Sequence, residues 1–394
     1  MEGVFDLRKA WMKRAGALLA AVLLLGCGAA KAAPLEEGTP VQIASPSAML
    51  LEADTGTVIF EKNADERRQV ASITKLMTLL VCLEELEAGR IDLEDDVTVS
   101  KTAASQIGSQ ALLDAGATYK LRDLLKSTII ASANDAACAL AEHMAGTEEA
   151  FVAMMNGRAA ELGMTDTVYM NCTGLPADGQ YTTARDVAAL SSEVCKHDEY
   201  FTYATVWMDT LTHPSGRVTD LTNTNRLVRF YDGCDGLKTG SADAAKYCLS
   251  ATASKNGLRL IAIVLGSDAS QARFNEARAM LDYGFAGYKR VTILQKGERL
   301  GKTVRVKLGM TEQVDAAVGA GLSMLLKLGQ EKQLSLEVEL PEEVEAPVRA
   351  GDALGVVRVK LGDKVIAKLP AVAAEDVGMP SLLEGFFLLM RNWR

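Results

Sequence analysis

The sequence predicts an α/β domain in which an antiparallel sheet packs with a cluster of helices, followed by a small all-β domain and a C-terminal amphipathic helix. Three patterns support this prediction. Apolar runs pair around turn residues, segments of helical periodicity lie between them, and short alternating strands take over after about Tyr288. The chain has 394 residues, of which 48% are hydrophobic, and this is enough for a large core and two or three domains.

The first 32 residues have the pattern of an export signal. Basic residues at positions 9, 13 and 14 precede an apolar run at 15–26, which is shorter than the roughly 20 residues that span a bilayer. Ala30-Lys31-Ala32 then offers a small-residue cleavage site, so we expect secretion across the plasma membrane of a bacterium. The alternative is that Leu24–Cys27, "LLGC", is a lipoprotein cleavage box, which would leave a lipidated Cys27.

Residues 33–290 form the predicted α/β domain. Turn residues separate the two strands of each of its two predicted hairpins, and Gly89 ends its first long helix. The segment "SAN" interrupts a longer helical stretch, because Ser and Asn favour helix caps over helix interiors. The predicted elements are a hairpin at 47–65 turning at Thr55-Gly56, helices at 72–90, 121–146 (two helices), 148–163 and 183–197, a hairpin at 246–268 turning at 255–257, and a helix at 270–285.

The C-terminal part has a different texture. Residues 291–372 read as short alternating strands separated by Gly and Asp turns, which predicts a small β-rich domain. Residues 376–394 then place large apolar side chains on one broad helical face, with Trp393 and Arg394 at the end. This pattern is typical of an interfacial membrane anchor, and the alternative is a terminal helix docked on a domain.

Composition excludes several classes of function. A net charge of −9, 5% aromatic residues and no basic stripe argue against nucleic-acid binding. Seven cysteines leave six after removal of Cys27, without a CxxC pattern; with only three histidines, we expect neither a zinc site nor another metal or cofactor. In an exported protein the six can be disulfides or buried free thiols, and the sequence leaves both open.

Ser72 and Lys75 lie three residues apart on one face of an otherwise apolar helix. A serine hydroxyl becomes a good nucleophile when a base takes its proton, and an amine can be that base only if it is neutral. Burial in an apolar helix lowers the pKa of an amine. Taken alone, the pair is weak evidence, since a helix-start serine and a snorkelling lysine give the same pattern.

Two further motifs follow in order. Ser132-Ala133-Asn134 breaks an apolar helical region, and Lys238-Thr239-Gly240 opens a predicted strand, where the glycine lets another backbone approach closely. Ser-x-x-Lys, Ser-x-Asn and Lys-Thr-Gly, in this order, are found in penicillin-binding proteins and class A β-lactamases. A second Ser-x-Asn at 254–256 follows Lys-Thr-Gly in a predicted turn, so we treat it as a chance match.

The chain resembles the low-molecular-mass penicillin-binding proteins, the serine D-Ala-D-Ala carboxypeptidases of peptidase family S11. "SITKLMT", "SANDAA", "NCTGLP", "DGLKTGSADAAKYCL" and "RFNEARAMLDYGF" all look like that family, as do the β-domain and the terminal helix. The resemblance implies a penicillin-binding-protein/β-lactamase-like fold. It also implies peptidoglycan stem peptides ending in D-Ala-D-Ala as substrates and β-lactam antibiotics as covalent inhibitors.

The resemblance implies a role for each motif residue. Ser72 would be acylated and Lys75 would be the base, while Ser132 would relay a proton to the leaving amine. The substrate would be bound by the remaining motif residues and one helix arginine: Asn134, Lys238, Thr239, Gly240, Ser241 and Arg273. The backbone N–H groups of Ser72 and Ser241 would form an oxyanion hole, and Arg273, with Arg278 nearby, is alternatively a solvated helix charge.

The leading hypothesis is therefore an exported D-Ala-D-Ala carboxypeptidase, held peripherally on the outer face of the plasma membrane by its terminal helix. Ala133, where class A β-lactamases usually have Asp, and the absence of an acidic motif near 171–180 predict slow β-lactam hydrolysis. The alternatives are a DD-endopeptidase, a transpeptidase or a β-lactamase-like hydrolase on the same site, and a catalytically inactive wall-binding scaffold.

Overall fold

The computed structural model describes residues 41–381, and its N-terminal part is the predicted α/β domain. The paired runs and helical segments fold as expected, including the hairpin at Thr55-Gly56 and the break at "SAN". The elements are β1 Ser47–Glu52, β2 Val58–Lys62, α1 Lys75–Glu87, β3 Asp96–Thr98, α2 Lys101–Ala104, β4 Thr118–Lys120, α3 Leu121–Ile130, α4 Asn134–Ala145, α5 Glu148–Glu161, α6 Ala184–Val194, α7 Asp198–Ala204, β5 Met208–Thr212, β6 Val218–Thr222, α8 Leu227–Phe230, β7 Cys234–Ala242, β8 Lys246–Lys255, β9 Leu258–Ser267 and α9 Ser270–Gly287.

One antiparallel sheet organises this domain. Its five strands lie in the order β2-β1-β9-β8-β7, and every pair is antiparallel. Strand β9 is buried on both faces, so its sequence is a nearly continuous apolar run rather than an alternating one. Ile261 and Ile263 belong to the core of the helical cluster, whereas Leu260 contacts the Gly284 position on α9. The sheet therefore lies between α9 and the helical cluster that contains α1.

The "SAN" interruption separates two helices of the cluster. Helix α3 ends at Ile130 and α4 begins at Asn134, with Ser132 in the turn at a φ of +60°. The left-handed conformation of Ser132 reverses the chain, which explains why a continuous apolar pattern gives two helices. This turn lies at one end of the sheet, close to strand β7.

The C-terminal part is a β-rich domain, as predicted. Its largest sheet has the order β14-β16-β17-β12-β11-β15, in which only the β11–β15 pair is parallel, and β10 pairs with β13. The strands are β10 Tyr288–Leu294, β11 Arg299–Lys307, β12 Gln313–Val318, β13 Leu322–Lys327, β14 Leu334–Glu339, β15 Glu343–Glu345, β16 Ala353–Leu361 and β17 Lys364–Ala373. Small clusters of Val, Leu and Ala form its core.

The predicted signal peptide and most of the predicted C-terminal helix lie in parts of the chain that the structure does not describe. The signal peptide at 1–32, with Cys27, lies outside the described residues, and so does the amphipathic helix from Leu382 onward. Within residues 41–381, no helix combines the length and apolar character needed to cross a membrane. All six cysteines in this range are free thiols, and five of them are buried.

Candidate active site

Ser72 and Lys75 meet where a 3₁₀ turn, Ala71–Thr74, leads into helix α1. Nζ of Lys75 lies 3.0 Å from Oγ of Ser72. The same amine donates to the carbonyl oxygen of Thr173 at 2.6 Å, and Thr173 belongs to the loop that follows α5. Lys75 is thus held between the hydroxyl and a loop carbonyl, with its amine directed at Ser72.

The Lys75 ammonium is strongly desolvated. Its side chain is completely buried, and burial lowers its pKa from 10.5 to about 7, against smaller opposing effects of Cys172 and Asp135. At neutral pH a large fraction of the amine is therefore uncharged. This is the state that can accept the proton of Ser72.

A second hydroxyl–amine pair faces the first. Nζ of Lys238, on β7, donates to Oγ of Ser132 at 2.7 Å and to the carbonyl oxygen of Thr239 at 3.3 Å. Burial lowers the pKa of Lys238 well below its usual value, and the positive charges of Lys75 and Arg273 lower it further. Because the charge of Lys75 acts on Lys238, the first and third motifs belong to one site.

Asn134 begins helix α4 and is held by the loop before β4. Its Nδ2 donates to the carbonyl oxygen of Ile107 at 2.5 Å, and its backbone N–H donates to Ser109 at 2.7 Å. Its Oδ1 is buried and has no hydrogen-bond partner among the described residues. Asp135 fixes the same loop by accepting the backbone N–H groups of Ala111 and Leu113 at 2.9 and 3.0 Å.

Strand β7 forms one edge of the site. Thr239 donates its hydroxyl proton to Thr224 Oγ1 at 2.8 Å, and Ser241 is exposed at the end of the strand. A Cβ at Gly240 would lie 2.1 Å from the carbonyl oxygen of Val70, just before Ser72. The backbone that requires a glycine here is the protein's own, because β7 packs directly against the segment that carries Ser72.

Arg273 lies behind strand β7. Its guanidinium donates to the carbonyl oxygens of Gly240 and Cys248 at 2.8 and 3.1 Å, and the residue is only 7% exposed. The alternative of a solvated helix charge is therefore wrong for Arg273. Burial lowers its pKa to about 10, and its charge contributes to the positive potential at Lys238. Arg278, by contrast, donates to the backbone of Phe230 in a solvent-exposed hydrogen bond.

The structure adds two residues that motif reasoning missed. Thr173, within the segment "NCTGLP", supplies the backbone carbonyl that binds Lys75, and its side-chain type gives no sign of this contact. Thr224 binds Thr239 from the segment after β6, and no local pattern marks it. The second Ser-x-Asn, at 254–256, begins in the last residues of β8 and ends in the β8–β9 turn at Asn256.

Two clusters among residues 41–381 bring potential metal ligands together. Cys138, Glu148 and Cys172 form one, and Glu84, Glu193 and His197 form the other. In the second, the guanidinium of Arg158 binds Glu84 at 2.7 Å and lies 3.5 Å from Glu193, so a cation already neutralises the carboxylates. The motif residues around Ser72 are not part of either cluster.

Family models match most of the chain. Residues 32–269 match the model for D-alanyl-D-alanine carboxypeptidase, and residues 288–379 match the C-terminal domain of penicillin-binding protein 5. The D-alanyl-D-alanine carboxypeptidase DacF of Bacillus subtilis is 36% identical over 348 residues, which cover 88% of this chain and 89% of that protein. DacC of Escherichia coli is 36% identical over 337 residues, covering 84% of this chain and 83% of its own length.

Solved structures agree with these matches. The structure of penicillin-binding protein 5 from Haemophilus influenzae has a TM-score of 0.75 at 29% identity, and the match covers 87% of this chain and all of that one (100%). DacD from Francisella tularensis has a TM-score of 0.71 at 27% identity, with coverage of 91% and 99%. The resemblance inferred from the motifs is confirmed: this chain belongs to the D-alanyl-D-alanine carboxypeptidase family of penicillin-binding proteins.

Proposed function

We propose that this chain is a serine-type D-alanyl-D-alanine carboxypeptidase that removes the terminal D-alanine from peptidoglycan stem peptides through an acyl-Ser72 intermediate. The observation that carries the proposal is the buried Lys75 amine, 3.0 Å from the Ser72 hydroxyl and with a pKa near 7. A base with a pKa close to the working pH is the most effective one for removing a hydroxyl proton.

Acylation begins at Ser72. Neutral Lys75 takes the hydroxyl proton while Oγ attacks the carbonyl carbon of the penultimate D-alanine. The backbone N–H groups of Ser72 and Ser241 are our candidates for binding the oxyanion, and one such donor is typically worth about 3–4 kcal/mol of the barrier. The carbon–nitrogen bond then breaks, which leaves the acyl group on Ser72.

The leaving D-alanine needs a proton on its amine. We propose that Ser132 donates its hydroxyl proton to the amine and recovers a proton from Lys75, which thereby becomes neutral again, while Lys238, 2.7 Å from Ser132 Oγ, holds this hydroxyl in place. Deacylation reverses the roles: Lys75 removes a proton from water, the hydroxide attacks the acyl carbon, and Ser72 recovers its proton. The cycle requires no metal ion or organic cofactor.

Substrate binding is assigned to the rim of the same site. Asn134 has a buried Oδ1 without a protein partner among residues 41–381, which suits it to accept a substrate amide N–H. Thr239 would hydrogen-bond the terminal carboxylate. Buried Arg273 would attract it electrostatically through strand β7, where Gly240 keeps the strand close to Val70.

The experiment is D-alanine release from a short peptide ending in D-Ala-D-Ala. We expect release by the wild-type protein and none by Ser72→Ala, with both proteins showing the same circular dichroism and melting curve. Release by Ser72→Ala would contradict the assignment. A product in which an added amine has replaced the terminal D-alanine, or cleavage of a cross-linked dimer only, would favour transpeptidase or endopeptidase activity instead.

We also propose that β-lactams acylate Ser72 and leave it slowly. The carbonyl of the lactam ring would occupy the position of the peptide carbonyl. In the loop at 171–180 the carbonyl of Thr173 binds Lys75, and this loop contains Asp178 as its only acidic residue, on the surface. Covalent labelling with penicillin that persists for many minutes supports the proposal, whereas fast turnover of the lactam would favour a β-lactamase.

The proposed organisation follows the matched families. We assign residues 1–32 to a signal peptide, 33–290 to the catalytic domain, 291–372 to a spacer domain, and 376–394 to a peripheral anchor on the outer face of the plasma membrane. The family matches at 32–269 and 288–379 support the division into two folded domains. Truncation before Met379 should release the protein from membranes with activity retained; an active but still membrane-bound truncate would contradict the anchor.

A further inference from the structure

Two thiols lie beside the Lys75-binding loop and have no role in the proposed reaction. Cys138 is on helix α4, and Cys172 immediately precedes Thr173. Their sulfur atoms and a carboxylate oxygen of Glu148 all lie within 4.8 Å of one another, and both cysteines are completely buried. We propose that Cys138 and Cys172 form an intramolecular disulfide that slows acylation of Ser72 by displacing the loop that holds Lys75.

The position of the pair connects the two walls of the site. Cys138 lies four residues after Asn134, one turn along the same helix. Cys172 is fixed from the other side, because its carbonyl oxygen accepts the Thr78 hydroxyl at 2.6 Å and its N–H donates to Glu148 at 2.9 Å. A disulfide here would tie the Ser-x-Asn helix to the loop directly.

Bond formation requires movement of the loop. Two sulfurs in a disulfide are about 2.05 Å apart, whereas these two cysteines are free thiols, so the sulfur atoms must approach each other, and we infer that the loop carrying Cys172 moves toward α4. The carbonyl of the next residue, Thr173, lies 2.6 Å from Lys75 Nζ. Displacing that carbonyl removes a fixed partner of the base, and misplacing a catalytic group by about 1 Å can cost on the order of 100-fold in rate.

The chemistry needs an oxidant of the disulfide class, such as oxidised glutathione or an extracytoplasmic disulfide oxidase. The Cys172 thiolate attacks one sulfur of the oxidant and releases one thiolate. The Cys138 thiolate then attacks Cys172 sulfur and releases the second. Two protons pass from the protein thiols to the two released thiolates, so two protein thiols become one disulfide and the oxidant is reduced to two thiols.

The buried surroundings of Cys138 and Cys172 make the pair slow to react while the loop stays in its present position. The neighbouring Cys138 thiol, burial and Glu148 all raise the pKa of Cys172, which disfavours its thiolate. Reaction therefore takes place when the loop opens, and reduction of the disulfide by dithiothreitol requires the same opening. In an exported protein the surrounding compartment supports such oxidation.

The test is a peptide map after equilibration with oxidised glutathione. Trypsin separates the two cysteines into peptides Ser127–Arg158 and Ala159–Arg185. We expect these two peptides to be joined, while the other four cysteines are alkylated after denaturation. Both thiols remaining alkylatable, a link to another cysteine, or a stoichiometric metal bound by the untreated protein would overturn the proposal.

The functional arm rests on the proposed acylation of Ser72 and uses a fluorescent penicillin. Acylation should be roughly 10-fold or more slower in oxidised than in dithiothreitol-reduced wild-type protein. In Cys138→Ser and Cys172→Ser the acylation rate should not depend on oxidation. In Cys82→Ser, which replaces a buried thiol on α1 outside the pair, the dependence should remain. Equal acylation rates in oxidised protein, with the cross-link confirmed by the peptide map, and in dithiothreitol-reduced protein would overturn the control of acylation. Absence of acylation in all states would instead count against the proposed function.

Discussion

Replacing Gly174 with alanine tests how the loop after α5 supports the Ser72 segment. A Cβ at this position would lie 2.0 Å from the carbonyl oxygen and 2.5 Å from the carbonyl carbon of Ala71. These are backbone atoms directly before Ser72, so no side-chain rotation can relieve the contact. Gly174 also has a φ of +81°, which alanine adopts only at a cost.

The magnitude follows from these two effects. A left-handed conformation costs alanine about 1–2 kcal/mol, and overpacking typically costs about 1–3 kcal/mol. Together they would lower the melting temperature by roughly 4–20 °C at about 2–4 °C per kcal/mol. Because relief of the clash moves either Ala71-Ser72 or Thr173, we expect kcat/KM for D-alanine release to fall by about 100-fold.

Gly179 provides the matched control in the same loop. Its φ is +82°, but a Cβ there meets nothing within 4 Å. Gly179→Ala should therefore show the conformational cost alone, a loss of about 2–8 °C with nearly normal kcat/KM. Equal activity losses in the two variants, or a fully active Gly174→Ala, would refute the inferred contact between the loop and the nucleophile segment.

Three further predictions concern other parts of the site. Gly240→Ala, with a Cβ 2.1 Å from a backbone oxygen, should reduce penicillin acylation far more than Gly236→Ala on the same strand, where the nearest atom is 3.5 Å away; equal rates would contradict this. Acylation should rise with pH through about 7 as Lys75 loses its proton. Folding lowers the pKa of Lys75, so between about pH 7 and 10.5 the unfolded chain binds more protons than the folded one, and the free energy of unfolding should rise with pH. Urea titrations over this pH range should show a smaller rise for Lys75→Met than for the wild type. Asp135→Asn should cost about 1–3 kcal/mol of unfolding free energy by losing a backbone acceptor, whereas exposed Asp178→Asn should cost almost nothing.

Local patterns predicted most of the fold because each depends on neighbours in the chain. The β8–β9 hairpin turns at Asn256-Gly257, a strong local signal, and Gly89 ends α1 with a positive φ. The strand order β2-β1-β9-β8-β7 was not predicted, since the pairing of β1 with β9 joins segments about 200 residues apart. Such contacts depend on the packing of the whole core.

In the active site, too, local motifs predicted some residues, whereas contacts between distant segments were not predicted. Ser72, Lys75, Ser132 and Lys238 were found from three short motifs, and the structure places them as two hydroxyl–amine pairs. Thr173 contributes only its backbone carbonyl, for which any residue type suffices, so its identity carries no signal. Periodicity left open that Arg273 is a solvated helix charge, because it does not reveal that the carbonyl oxygens of Gly240 on β7 and Cys248 on β8 bind its guanidinium.

The most direct test of the account is the location of the penicillin adduct. Ser72 lies in the tryptic peptide Gln69–Lys75, whereas Ser132 lies in Ser127–Arg158, so mass spectrometry distinguishes them. We expect an adduct on Gln69–Lys75 at Ser72, formed faster as pH rises through about 7 and absent from Ser72→Ala. An adduct on any other residue, or none with folded protein, would contradict Ser72 as the nucleophile activated by Lys75.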